Sequence, residues 1–167
     1  MSSITFGRSE AGFVVRVRQH GTLRESRALV EFLAHIQEPI QVDLDLSAVA
    51  YLDSTFLGSL MGLHKRINLA HRGRFRICGP LEAVRRLMGK TRLDTVLTLV
   101  EEVPPVAGDE RSLPMDAVEA VAMVTFIADA HRRLAELGGP DSEAFARVAD
   151  QLDEESRRHP RPMGEGA

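Results

Sequence analysis

The chain reads as an α/β protein: a mixed sheet of four to five strands with helices packed mainly on one face, followed by a C-terminal helical hairpin. Three observations predict this. Over residues 1–103 the apolar period switches between 2 and 3.6, giving the order strand, strand, helix, strand, helix, strand, helix, strand. Three of the strands keep a polar alternate face, whereas a sheet covered on both sides reads as continuous apolar runs. After a Pro/Gly-rich break, two helical stripes follow with no strand pattern between them.

Ile4 and Phe6 alternate with polar neighbours, Ser9 to Gly12 supplies turn chemistry, and Phe13, Val15 and Val17 alternate with Val14, Arg16 and Arg18. Leu29, Phe32, Leu33 and Ile36 then fall on one face of a helix ending near Pro39. Ile40, Val42, Leu44 and Leu46 alternate strictly with Gln41, Asp43, Asp45 and Ser47. A short loop leads to Asp53–Thr55, which carry helix-capping chemistry, and Leu57, Leu60, Leu63 and Ile67 follow at helical spacing up to Gly73. Phe75 and Ile77 mark another strand. Pro80 opens a helix with Val84, Leu87 and Met88 on one side. Leu93, Val96 and Leu97 form a short helical turn, and Leu99 to Val103 a last strand.

Residues 104–111 read as a linker and residues 112–158 as the hairpin. Its first helix runs from Ser112 and Pro114 to about Leu137, and its second carries Phe145, Val148, Ala149 and Leu152 as a stripe. The first helix is apolar almost all round between Ala117 and Ala130. Such a helix either packs on its own domain or pairs with another subunit, so a homodimer through the hairpin is carried as an option. The tail, 159–167, reads as disordered.

Composition bounds the function. The chain has 167 residues, 44% hydrophobic and 27% charged, with a formal net charge of −3. A packed core follows, and no general electrostatic attraction to nucleic acid or anionic membrane. The most apolar stretch, Ala117 to Ala128, is interrupted by Glu119 and Thr125 and too short to span a bilayer, and the N-terminus lacks the order of a secretory signal. The lone cysteine, Cys78, sits in a strand-like run and reads as a buried thiol. Together these predict a cytoplasmic protein.

The informative stretch is Leu44 to Gly58, where a strand hands over to a helix at Asp53-Ser54-Thr55. The first N–H groups of a helix lack internal partners and carry the positive end of its dipole. A phosphate on Thr55, or second on Ser54, is favoured there and sets nearly two negative charges beside Asp53 on an exposed, displayed surface. The plainer reading is that Asp53, Ser54 and Thr55 cap a helix and nothing more.

Asp45-Leu46-Ser47, Val49, Leu52-Asp53-Ser54-Thr55 and Leu57-Gly58 together resemble the signature of STAS domains, the family of anti-sigma factor antagonists. Gly21 and Leu23 resemble the Gly-x-Leu before that fold's first helix, and the element order matches over 1–103. The resemblance implies a non-enzymatic partner switch. A serine/threonine kinase-type anti-sigma factor phosphorylates the second hydroxyl residue, by position Thr55, and is bound by the unphosphorylated form. The implied contact residues are Asp53, Ser54, Thr55, Phe56, Gly58, Ser59 and Gly62. In one departure, Phe56 stands where the family has glycine; it either reshapes the docking surface or enters the core.

Other chemistry is less well supported. Asp43-Leu44-Asp45 is similar to the aspartate-nucleophile motif of haloacid-dehalogenase-type phosphatases, but neither the required lysine nor the later acidic pair falls in a fitting place. No His/Cys/Asp cluster has metal spacing, so neither a metal nor a cofactor is expected, and His20, His35, His131 and His159 read as surface residues. Gly58-Ser59-Leu60-Met61-Gly62 lacks the lysine of a phosphate loop. Arg72, Arg74 and Arg76 alternate along a strand with one wet face and read as solvated, which speaks against nucleic acid. A second function class is a STAS structural subunit of a larger sensory or transporter assembly, with the hairpin as its docking element.

Overall fold

A computed structural model describes residues 3–115 and 120–158. The alternating runs form β1 (Ile4–Arg8), β2 (Gly12–Gly21), β3 (Gln41–Leu52), β4 (Arg74–Cys78) and β5 (Thr98–Val100). The helical stripes form α1 (Leu23–Ala34), α2 (Ser54–His64) and α3 (Glu82–Thr91). α2 continues as a π-helical turn, Lys65–Ala70, and a 3₁₀ turn spans Leu93–Thr95. β1 and β2 pair antiparallel, while β2, β3, β4 and β5 pair in parallel through the helical crossovers.

Two expectations are corrected here. The segment expected to be a linker, 104–111, contains a sixth strand, β6 (Ala107–Ser112), paired antiparallel with β1. The sheet among the described residues therefore has six strands, in the order β5-β4-β3-β2-β1-β6. β6 has no apolar alternation because it lies on the sheet edge, nearly all exposed, and is held by backbone bonds and by Glu110. Ser112 thus ends a strand instead of opening a helix. The loop expected after Ser47 is also strand: β3 runs on to Leu52, with register shifts against β2 near Arg16–Arg18 and Gln19–His20. These irregularities re-aim the strand so that Val49 and Leu52 point into the core.

The core joins the inward faces of β2, β3 and β4 (Val15, Val17, Leu44, Leu46, Ile77) to Leu29, Leu33, Leu60 and Met88 of the helices. The opposite sheet face is polar but not wet throughout. Asp43 is 0% exposed and accepts from Arg76 Nε at 2.6 Å and Gln41 Nε2 at 2.8 Å. Asp45 accepts from Arg16 Nε at 2.7 Å, and Arg16 also pairs with Glu110. The carboxylates needed by the phosphatase reading are therefore engaged in ion pairs beneath arginine side chains. Cys78 is buried beside them; burial first, and the Asp43 charge next, push its thiol pKa up to about 12.

The hairpin consists of α4 (Ala120–Glu136) and α5 (Ser142–Arg158). Arg132 pairs with Asp153, and His131 stacks edge-on against Phe145 with ring centroids 5.9 Å apart. Ala149 is buried, while Val148 of the expected stripe is exposed. α4 packs across α2, and the turn at Gly138–Gly139 abuts the end of α3, where a Cβ on Gly139 would meet the Lys90 carbonyl. The tail, 159–167, and with it His159, lies outside the described residues.

Candidate functional site

The strand-to-helix handover is built here by two aspartates. Asp45 Oδ1 accepts from both the backbone N–H (2.9 Å) and the hydroxyl (2.6 Å) of Ser47, closing a local turn inside β3. Asp53 is the N-cap of α2: its Oδ1 accepts from Phe56 N–H at 2.7 Å. Its other oxygen, Oδ2, accepts from Leu23 N–H at 3.0 Å, in the first turn of α1. One carboxylate thus binds two helix N-termini, and the Asp53 N–H donates to Gly21 O at 2.9 Å, fixing it to β2. A neighbouring clamp holds α1, where Glu25 accepts from Thr22 N–H at 3.0 Å and from Ser3 Oγ at 2.8 Å. Burial alone would raise the Glu25 pKa; the Thr22 and Ser3 hydrogen bonds outweigh it and leave the group below the usual carboxylate range.

Because Asp53 supplies the cap, Ser54 and Thr55 are not used as caps. They are the first two residues of α2. Ser54 is half-buried and bonds His131 of α4, Oγ to Nε2, at 2.9 Å. His131 Nδ1 lies 2.8 Å from the Ile127 carbonyl. A carbonyl only accepts, so Nδ1 carries the proton, and in the neutral ring Nε2 accepts from the Ser54 hydroxyl. His131, expected on the surface, is only 7% exposed. No spacing signal links it to Ser54, since the contact spans 77 positions.

The structure corrects further expectations at this site. Thr55 is 6% exposed instead of displayed. Phe56 is fully buried and reaches toward Gly21, where an added Cβ would come within 2.9 Å of its ring, so the departure from the family glycine is a core residue and not a docking surface. Ser59 is buried, and its hydroxyl donates to the Thr55 carbonyl at 2.8 Å. Gly58 and Gly62 face α4. A Cβ on Gly58 would run into the Ala130 backbone, and one on Gly62 would lie 3.0 Å from the Arg133 guanidinium carbon. The stripe Ser54, Gly58, Gly62, at i, i+4, i+8 along α2, is therefore the line on which α4 rests.

Among the described residues no group of three or more His, Cys, Asp or Glu is placed to hold a metal ion, and no helix is long and apolar enough to cross a membrane.

A family model described as the STAS domain matches residues 15–104. Solved structures similar to the chain include a Thermotoga maritima protein assigned as an anti-sigma factor antagonist, at 21% identity and a TM-score of 0.46, covering 54% of this chain and 80% of that one. The anti-sigma factor antagonist SpoIIAA in its unphosphorylated form matches at 18% identity and TM-score 0.40, over 54% and 80%. The Bacillus cell fate determinant SpoIIAA in its phosphorylated form matches at 14% and 0.40, over 54% and 83%. No curated protein matches the chain.

Proposed function

We propose that this chain, which belongs to the STAS domain family, is a non-enzymatic, protein-binding regulator of the anti-sigma factor antagonist kind. Its partner is a serine/threonine kinase-type anti-sigma factor, docked on the α2 face from Asp53 to Gly62 in the cytoplasm. Phosphate on Thr55 releases it. The observation that supports this reading is the double cap at Asp53: because one carboxylate caps both helices, neither Ser54 nor Thr55 is needed as a cap, and Thr55 stands at the second position of α2. A phosphate at Thr55 would meet the unpaired N–H groups and dipole of the first turn, and would add about −1.5 to −2 charge beside Asp53. The added charge alters the docking face while the fold stays intact.

The test uses the kinase-type anti-sigma protein of the same cells as the binding partner. Thr55→Asp weakens the complex, and Thr55→Ala binds as the native chain does but no longer responds to kinase and ATP. If both variants bind and respond like the native chain, the switch is refuted. Mass spectrometry of the peptide from Asp53 to Lys65, taken from native cells, checks the modification directly.

One observation favours a second reading. α4 lies across α2, and Thr55 is nearly sealed. This suits a STAS subunit built into a larger sensory or transporter assembly, or a homodimer through the hairpin, with no phosphate switch. That reading predicts a stable complex of fixed size on gel filtration that is indifferent to kinase and ATP.

A further inference from the structure

We infer that the α4–α5 hairpin is a displaceable occupant of the α2 face, and that this face takes a partner helix with a small residue at the crossing point, as Ala130 is in α4. The inference rests on the docking face proposed above and adds what competes for it.

Three features support it. First, the contact coincides with the face. Ser54 bonds His131, Gly58 admits the Ala130 backbone, and Gly62 admits the Arg133 side chain, so every member of the α2 stripe is taken. With Ser54 Oγ at 2.9 Å from His131 Nε2, no phosphate fits on Ser54 while α4 is down. Ser59, one turn beyond Thr55 on the same flank of the helix, is 2% exposed.

Second, the contact is imperfectly made. A cleft of about 270 Å³ remains between α1, α2 and α4, lined by Val30, Ser59, Leu63 and Arg66 on one side and Phe126 and Arg133 on the other. Arg27 Nε and Arg66 Nε are buried without a hydrogen-bond partner among the described residues. Interiors are ordinarily filled and their buried polar groups paired. The peripheral links are polar and exposed, as between Lys65 and Glu136 at 3.2 Å.

Third, the hairpin is held together by its own contacts, the Arg132–Asp153 pair and the His131–Phe145 stack. It would leave α2 as a unit, at the cost of uncovering Leu134, which is 1% exposed and belongs to the hydrophobic core. A partner competing with it binds with an affinity reduced by the fraction of molecules in which the hairpin is off.

The experiment needs no partner and so fails independently of the Thr55 switch. Ser59→Cys is introduced into the full chain, and alkylation by iodoacetamide is followed at both thiols by peptide mass spectrometry. The buried Cys78 reports whether the sheet stays folded. Gly58→Ala is then added; alanine favours the helix itself, so a loosening traces to the collision with Ala130. His131→Ala, added separately, removes the Ser54 bond without crowding. The expected result is labelling at position 59 at least tenfold faster with Gly58→Ala, and faster also with His131→Ala, while Cys78 stays unlabelled. Labelling of both thiols rising in step in both variants would make the hairpin part of the core and overturn the inference. So would unchanged labelling at position 59 in both.

Discussion

Asp53 allows a perturbation to be sized from individual bonds. Asp53→Ala removes the 2.7 Å bond from Phe56 N–H and the 3.0 Å bond from Leu23 N–H. Loss of an N-cap costs about 1 kcal/mol. Leaving the part-buried Leu23 N–H without a partner adds about 1–2 kcal/mol. The sum is about 2–3 kcal/mol, which for a domain of this size lowers Tm by roughly 4–12 °C. Asp53→Asn separates the two contributions. Asparagine is a good N-cap, so its carbonyl keeps the Phe56 bond, but its amide nitrogen then faces the Leu23 N–H donor to donor. It should fall between alanine and the native chain, about 1–2 kcal/mol down. Urea unfolding followed by circular dichroism reads both values, with an unchanged m-value showing that the unfolded state is not involved. Asparagine as damaging as alanine would refute the division of labour between the two oxygens. Alanine within about 0.5 kcal/mol of native would refute the clamp altogether.

Two further outcomes follow from the polar groups around the sheet. Arg76→Ala strands the fully buried Asp43 carboxylate and should cost about 3 kcal/mol in urea unfolding, most of it recovered by adding Asp43→Asn; a single-variant loss under about 1 kcal/mol would refute the pairing. Glu25 has a folded-state pKa below its ordinary 4.5, so its contribution is fully present above that value and is lost as pH falls through the folded pKa. The stability gap between the native chain and Glu25→Gln should therefore close between about pH 4.5 and the acid limit; a gap that widens on acidification would reverse the sign and refute the assignment.

The elements most legible in the sequence are those with one apolar and one polar face. Val42, Leu44 and Leu46 could only alternate as they do in a strand, and Asp53 ahead of Leu57, Leu60 and Leu63 could only be a helix start. β6 was illegible for the same reason: Ala107 to Ser112 buries no side-chain face, so its pairing is written in backbone bonds that composition does not show. Asp43 and Asp45 read only as a polar face because alternation reports polarity and not coverage, and the arginines that cover them come from β2 and β4. At the site, Asp53 caps α2 as its position suggests, while Ser54 and Thr55, read with it as capping residues, do not. Thr55 looked displayed because nothing in the local sequence announces that a helix beginning at Ala120 lies across α2. The one trace was the pair of glycines at positions 58 and 62, a spacing that clears a track along one side of a helix.

β6 also matters for energetics beyond the sheet. Pinned to β1 through Thr5 and Ser112, it ends only eight positions before α4 begins at Ala120, so the hairpin stays covalently tied to the sheet edge whether or not it rests on α2. A short leash of this kind gives the attached element a local concentration in the millimolar range. A freely diffusing rival must outcompete that constant presence, so partners at ordinary cellular abundance would engage this chain only if they bind α2 far more tightly than its own helix does.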